Sequence, residues 1–413
     1  MKNDTDKHID SIKQNREKVE AILYVCSVAY CFQSTITAQV LVAAFWIAWM
    51  FFRLVMDLRA GRTSERIKDC VFAAMIFLLP QLVIHVYTIA LAMFGQTKSE
   101  VLSTNIVTNA AILLVIVSIY LFDRKAMWYV FCALSLSWFL YLVEAVLTYG
   151  PGVITDAIMQ GWFGVTLGHE NYLEHDAIVL SVGYGILLFL FAKRETNRKA
   201  IPLYWMLAII FLIGIKRISV LAVLLVVACY LIVRKKDEKK AYTISVIAGW
   251  IAAVACVAFI FVVSLGDPFY EFMDKLGIDL MARDHFHKYI MKYTEFSPLF
   301  LGYGRGSVKT WMVKRFSGYT YVHSDIIKMF FELGFIPFLG WLYFNLVFVA
   351  KSFKKRYSES AAVFYMLTSA YTFVQYLTDN TESYFVCIVV RSIIVMGYAL
   401  STAETEEGRI RRL

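Results

Sequence analysis

The chain has 413 residues, 59% of them hydrophobic and 18% charged, with a mean hydropathy of +0.61. A soluble protein of this length carries about 25% charged residues, and its apolar residues do not recur in runs of about 20, the length that crosses a bilayer core. The composition excludes a soluble enzyme, and membrane topology explains the net charge of +9 better than nucleic acid does.

The first eighteen residues are polar and lack the apolar stretch of a cleavable signal peptide. Beyond them, apolar runs predict spans near 20–35, 38–56, 70–94, 104–122, 126–148, 172–192, 201–215, 218–233, 242–264, 326–350, 360–377 and 383–401. A loop of about sixty residues, 265–325, separates the ninth and tenth. No internal repeat is visible, so residues 1–413 read as one integral membrane domain. With the N-terminus inside, every short inside connector is basic, which places both termini in the cytoplasm and the long loop outside. The expected fold is all-α and polytopic, with about twelve transmembrane helices and short helices within the loop. The seven cysteines fall in or beside apolar runs and read as packing residues, with no metal-ligand spacing.

Cations on the outer side gain nothing from the anionic inner leaflet, so they call for another role. They are Lys216 and Arg217 in the turn after the seventh span, and Lys275, Arg283, Lys288, Lys292, Arg305, Lys309, Lys314 and Arg315 in the loop. Arg217 and Arg283 can converge over one cavity, where paired guanidiniums suit a diphosphate; anchorage to lipid headgroups is the alternative, most of all for Lys216. Residues 281–297 read as an amphipathic helix, with Phe286, Tyr289, Tyr293 and Phe296 on one face and Arg283 and His287 on another. His285 and His287 are spaced wrongly to share a metal on a helix. The glycine-rich stretch Leu301 to Ser307 is either a tight turn or a backbone nest holding an anion beside Arg305.

His323 stands just before the tenth span, where an imidazole could accept a proton from a sugar hydroxyl or cap the helix structurally. Asp325, Lys328 and Glu332 then form one polar stripe. Arg391 lies at similar depth in the twelfth span, so Glu332 and Arg391 are expected to neutralise each other or to bracket one cavity. A second polar cluster, from Gly168 to Asp176 with His169 and Asn171, reads as a solvated helix start or as a cavity wall.

Four stretches in this order resemble the bacterial O-antigen polymerase and O-antigen ligase superfamily of membrane glycosyltransferases. They are Gly168 to Leu173; Lys216 to Ala222, with Lys216 where the family has Ser; Ala282 to Gly304; and His323 to Pro337, with Ser324 and Pro337 at variant positions. The resemblance covers roughly 160–345 and leaves the N-terminal five helices without a motif. It implies a GT-C-like helical fold in the bacterial cytoplasmic membrane. It implies transfer of a glycan from an undecaprenyl-diphosphate-linked oligosaccharide to an acceptor hydroxyl, with no cofactor and no metal. Partners would be that lipid, the surrounding membrane lipids, a flippase and a chain-length regulator, and no nucleic acid. Carried over by position, Arg217 and Arg283 bind the diphosphate and His323 acts near the acceptor. Lys216, Arg305, Glu332, Arg391, Asn171 and His169 complete the expected substrate site. Polymerase is favoured over ligase by the loop, and a secondary transporter is the alternative from another class.

Overall fold

A computed structural model describes residues 4–61, 64–95, 103–163, 173, 175–191, 194–214, 216–275, 283–316 and 321–410. Among the described residues every regular element is helical. In chain order the helices are α1 (Asp4–Cys31), α2 (Ile36–Arg59), α3 (Ser64–Ala73), α4 (Leu79–Met93), α5 (Ser103–Phe122), α6 (Ala126–Tyr149), α7 (Gly152–Phe163) and α8 (Asp176–Phe191). They continue with α9 (Arg194–Ile213), α10 (Arg217–Val233), α11 (Glu238–Ser264), α12 (Asp267–Lys275), α13 (Arg283–Met291), α14 (Ser307–Arg315), α15 (Asp325–Leu333), α16 (Phe335–Tyr343), α17 (Val349–Arg356), α18 (Glu359–Tyr376) and α19 (Phe385–Ile410). π-helical turns at Ala74–Leu78 and Phe344–Phe348 join α3 to α4 and α16 to α17.

Each expected apolar segment falls on a helix, because a run of about 20 apolar residues can satisfy its backbone away from water only by helical bonding. Among the described residues six stretches are long and apolar enough to cross a membrane: Ile36–Arg59, Glu65–Met93, Ile106–Tyr149, Glu238–Ser264, Phe335–Arg356 and Phe385–Ala403. Side chains such as Phe51, Val86 and Leu224 stay exposed on the bundle surface, as they can where lipid replaces water. The chain is a membrane-embedded helical protein.

The main core surrounds α19, which packs on α5, α6, α8 and α18. A second core joins α11 and the long loop to α15, through Ile260, Phe286, Ile290, Met312 and Phe331. Two expectations are corrected in this part. The tenth apolar segment is two helices, because Gly334 takes φ +76 and ψ −178, a conformation confined to glycine. Pro337 then sits in the first turn of α16, where it forfeits no helical bond. The helix predicted over 281–297 ends at Met291, where Thr294 Oγ1 donates to the Met291 carbonyl at 2.9 Å and competes with further helix.

Candidate functional site

The break in the tenth segment organises the end of the bundle where the long loop lies. The Tyr303 and Gly304 amides donate to the carbonyls of Phe331 and Glu332 at 3.0 and 2.8 Å, and the Phe335 amide donates to Phe300 at 2.8 Å. Gly302, at φ +79, lies so close to the Leu333–Gly334 backbone that no side chain fits at either glycine. The glycine-rich stretch is thus both a tight turn and a nest. Its anion is internal, since the Gly306 amide donates to Glu332 Oε1 at 2.9 Å. Helix α4 clamps the turn from the side: the Tyr87 hydroxyl donates to the Leu301 carbonyl at 2.6 Å, and Thr88 Oγ1 accepts from the Arg305 amide at 3.0 Å.

All nine residues of α15 are buried, charged ones included. Asp325 and Lys328 find partners in the connector between α18 and α19, and Glu332 finds its own in the long loop. Arg305 Nη2 donates to both Glu382 oxygens, at 2.5 and 2.7 Å, and Lys328 Nζ reaches Glu382 at 2.9 Å and Ser383 Oγ at 2.6 Å. The Glu382 amide donates to Asp325 Oδ2 at 2.7 Å. Burial alone would raise the Glu382 carboxyl, but Arg305 and Lys328 hold it below the ordinary carboxylate range. A cavity of about 560 Å³ opens beside this lattice, lined by Lys328, Glu332, Asn380, His175, Asp176 and Lys309 among others.

His323 stands at the lattice's edge with φ +54, a left-handed conformation rare for a residue with a side chain. It is fixed on three sides. Ser324 caps α15 by accepting from the Ile327 amide at 3.4 Å, and its own hydroxyl donates to the Tyr376 carbonyl at 3.2 Å. His287 of α13 donates Nε2–H to the Val322 carbonyl at 3.1 Å, while burial holds that imidazole down at about 4, so it stays neutral. The His323 ring is stacked 6.3 Å from Phe286, and the Asn380 side-chain amide lies 3.5 Å from Nδ1. Partial burial, and then the cations Arg283 and Lys216, hold His323 below the ordinary imidazole range, although Asp379 and Asp176 pull the other way. This imidazole is therefore neutral near pH 7.

The expected cations divide into two kinds. Lys216 is committed: its Nζ lies 2.8 Å from Asp176 and 2.6 Å from Asp379. Burial works against its charge, but the two carboxylates raise its pKa above the usual lysine range. Arg305 is equally committed, 2% exposed, and Glu332 is taken up by it and by the nest. Arg217 and Arg283 differ. Each is the first residue of its helix, α10 and α13; Arg217 is exposed and Arg283 half-buried. Among the described residues neither has a carboxylate within ion-pair distance. Arg391 is not paired with Glu332: its Nη2 donates to Ser369 Oγ at 3.0 Å, and it lines a different cavity. His169 and Asn171 lie outside the described residues.

Sequence reading missed Asp379, Asn380 and Glu382. Two carboxylates and an asparagine in a run of six polar residues, 378–383, on the side where unexplained cations gather, were the available signal. The same reading placed α4 within the span 70–94 but not at the site, to which α4 supplies Tyr87 and Thr88. No protein-family model, curated protein or solved structure matches this chain. Fold and site define a helical membrane protein with a polar, cation-flanked histidine site at one end of its bundle.

Proposed function

We propose that the chain is a polysaccharide polymerase of the O-antigen type, with about twelve spans in a GT-C-like arrangement. It would act at the outer face of a bacterial cytoplasmic membrane with both termini inside. The carrying observation is the placement of Arg217 and Arg283. A cation at a helix N-terminus opposes the helix dipole, a cost of about 0.3–1 kcal/mol, and becomes favourable when an anion joins the two. Lys216, next to Arg217, and Arg283 both act on His323, so that anion would sit beside the imidazole.

The reaction follows. The acceptor hydroxyl oxygen attacks the anomeric carbon of the donor glycan, and the carbon–oxygen bond to the polyprenyl diphosphate breaks. His323 takes the hydroxyl proton, as a neutral imidazole can. The negative charge that develops on the departing diphosphate falls on Arg217 and Arg283, fixed cations that need no proton transfer. A single displacement inverts the sugar carbon. Arg305, Lys328, Glu332 and Glu382 hold the site rigid, and Lys216 positions the Asp379–Asn380 connector.

The test is incubation of purified protein with a polyprenyl-diphosphate oligosaccharide. A ladder of lengths is expected from wild type. Arg217→Ala and Arg283→Ala should each lose about 100-fold or more in rate while eluting and melting as wild type does. Full activity of either variant would overturn the assignment. Transfer to a different terminal acceptor without a ladder would make the enzyme a ligase.

A further inference from the structure

One half-buried cation inside the helix bundle has no part in that reaction. Arg391 lies two turns into α19, with its guanidinium 5.8 Å from the Tyr365 ring centre and Ser369 Oγ as its hydrogen-bond acceptor. Among the described residues no carboxylate is within ion-pair distance of it. The neighbouring carboxylates are taken up elsewhere: Glu332 and Glu382 by Arg305 and Lys328, and Asp325 by Lys328 and the Glu382 amide. A cation inside a membrane bundle is costly without a counter-ion and marks a functional site by default.

Arg391 faces a cavity of about 90 Å³, lined also by Gln81, Asn345, Thr372, Tyr184 and Tyr376. That is room for several waters or one tetrahedral oxyanion. The Gln81 side-chain oxygen is buried with no partner, so this amide is free to turn its NH₂ toward a ligand. Both π-helical turns contribute to the wall, through Phe77 and Asn345; such turns are rare and recur at functional sites. Thr108 lines this cavity and the 560 Å³ cavity alike, so the two adjoin. Helices α4 and α16 both border it, through Ile84 and Trp341.

We infer that the Arg391 cavity is a second phosphate site, which receives one phosphate group of a second lipid-linked substrate. This rests on the polymerase reading: chain extension joins two lipid-borne diphosphates, and Arg217 and Arg283 account for only one. Glu382, at the cavity's edge, does not repel the ligand, because Arg305 and Lys328 neutralise it.

The experiment titrates labelled geranylgeranyl diphosphate into the purified full chain in nanodiscs of phosphatidylcholine. Wild type should bind two equivalents, Arg391→Gln one, and the Arg217→Ala/Arg283→Ala double variant one. Asn345→Leu, which fills the cavity and leaves the arginine, should lose the same equivalent as Arg391→Gln, and it decides the matter should Arg391→Gln fail to fold. Two equivalents retained by the cavity variants would overturn the second site and leave the first standing. Two retained by the double variant would instead overturn the reading of Arg217 and Arg283. Inorganic pyrophosphate and nanodiscs containing phosphatidylglycerol separate the sources of phosphate. Preference of the Arg391-dependent site for either one over the prenyl diphosphate would overturn its assignment to a lipid-linked substrate.

Discussion

His323 can serve as a base only if one ring nitrogen is bare and the other is held. The Asn380 side-chain nitrogen faces Nδ1 at 3.5 Å, and its oxygen is buried without a partner; with the amide turned over, that oxygen accepts Nδ1–H and leaves Nε2 as the nitrogen that takes the proton. The sign of the pH dependence follows. Burial and Arg283 disfavour the imidazolium, so the working neutral form persists below the ordinary histidine pKa of about 6.5. The acid midpoint of transfer should therefore lie below pH 6.5. Asn380→Asp places a carboxylate beside Nδ1 and favours the imidazolium, so the acid limb should move to higher pH, about one unit or more. Asn380→Leu should lower kcat about 10-fold or more with little change in KM. A pH–rate profile of wild type and both variants is the measurement, and an unmoved limb in Asn380→Asp would remove Asn380 from the site. None of this was legible from local sequence. Asn380 lies 57 residues beyond His323, and the connector that carries it has no motif.

At the scale of elements, apolar length told nearly everything about where helices lie and nothing about where one stops. Residues 326–350 are apolar enough to read as one span, yet the chain breaks at Gly334. The cause is the turn at Phe300 to Gly302, which abuts the Leu333–Gly334 backbone and takes the Phe335 amide as donor. Glycine within an apolar run is common, and only a partner some thirty residues earlier gives this one its meaning. The polar stripe of Asp325, Lys328 and Glu332 was readable, since 3.6-residue periodicity puts the three on one face. Its partners were not, because Glu382 is 77 residues from Arg305 and 54 from Lys328. Gly334→Ala tests the break. The left-handed strain alone costs about 1–3 kcal/mol, and the new methyl group would push against the Phe300–Gly302 backbone. A lower melting temperature is expected, together with faster proteolysis of the loop after Ser297. A variant that melts and resists protease as wild type does would mean that the two glycines are not locked together.

The whole molecule joins a lipid-facing bundle to a polar end that is itself a small core. The long loop supplies α13 and α14, the N-terminal half supplies α4, and the last connector supplies Glu382. The N-terminal helices carry no recognisable motif, yet they frame both cavities through Gln81, Thr108 and Gln33. The charge pattern expected to orient this bundle is global: it puts the basic short connectors on one side of the membrane and the long loop with His323 on the other. The proposed twelve-span arrangement makes a sharp prediction from it. Single cysteines placed at Lys236 and Lys355, in a chain whose seven native cysteines are replaced, should react with a membrane-impermeant maleimide only after the cell membrane is opened. Cysteines at Lys275 and Lys314, both in the long loop, should react in intact cells with a permeable outer envelope. The two groups differ by an odd number of crossings, so they cannot share a side if the count between them holds. Labelling of Lys236 and Lys314 on the same side would break the topology, and with it the placement of Arg217, Arg283 and His323 over the outer leaflet where a lipid-linked glycan would meet them.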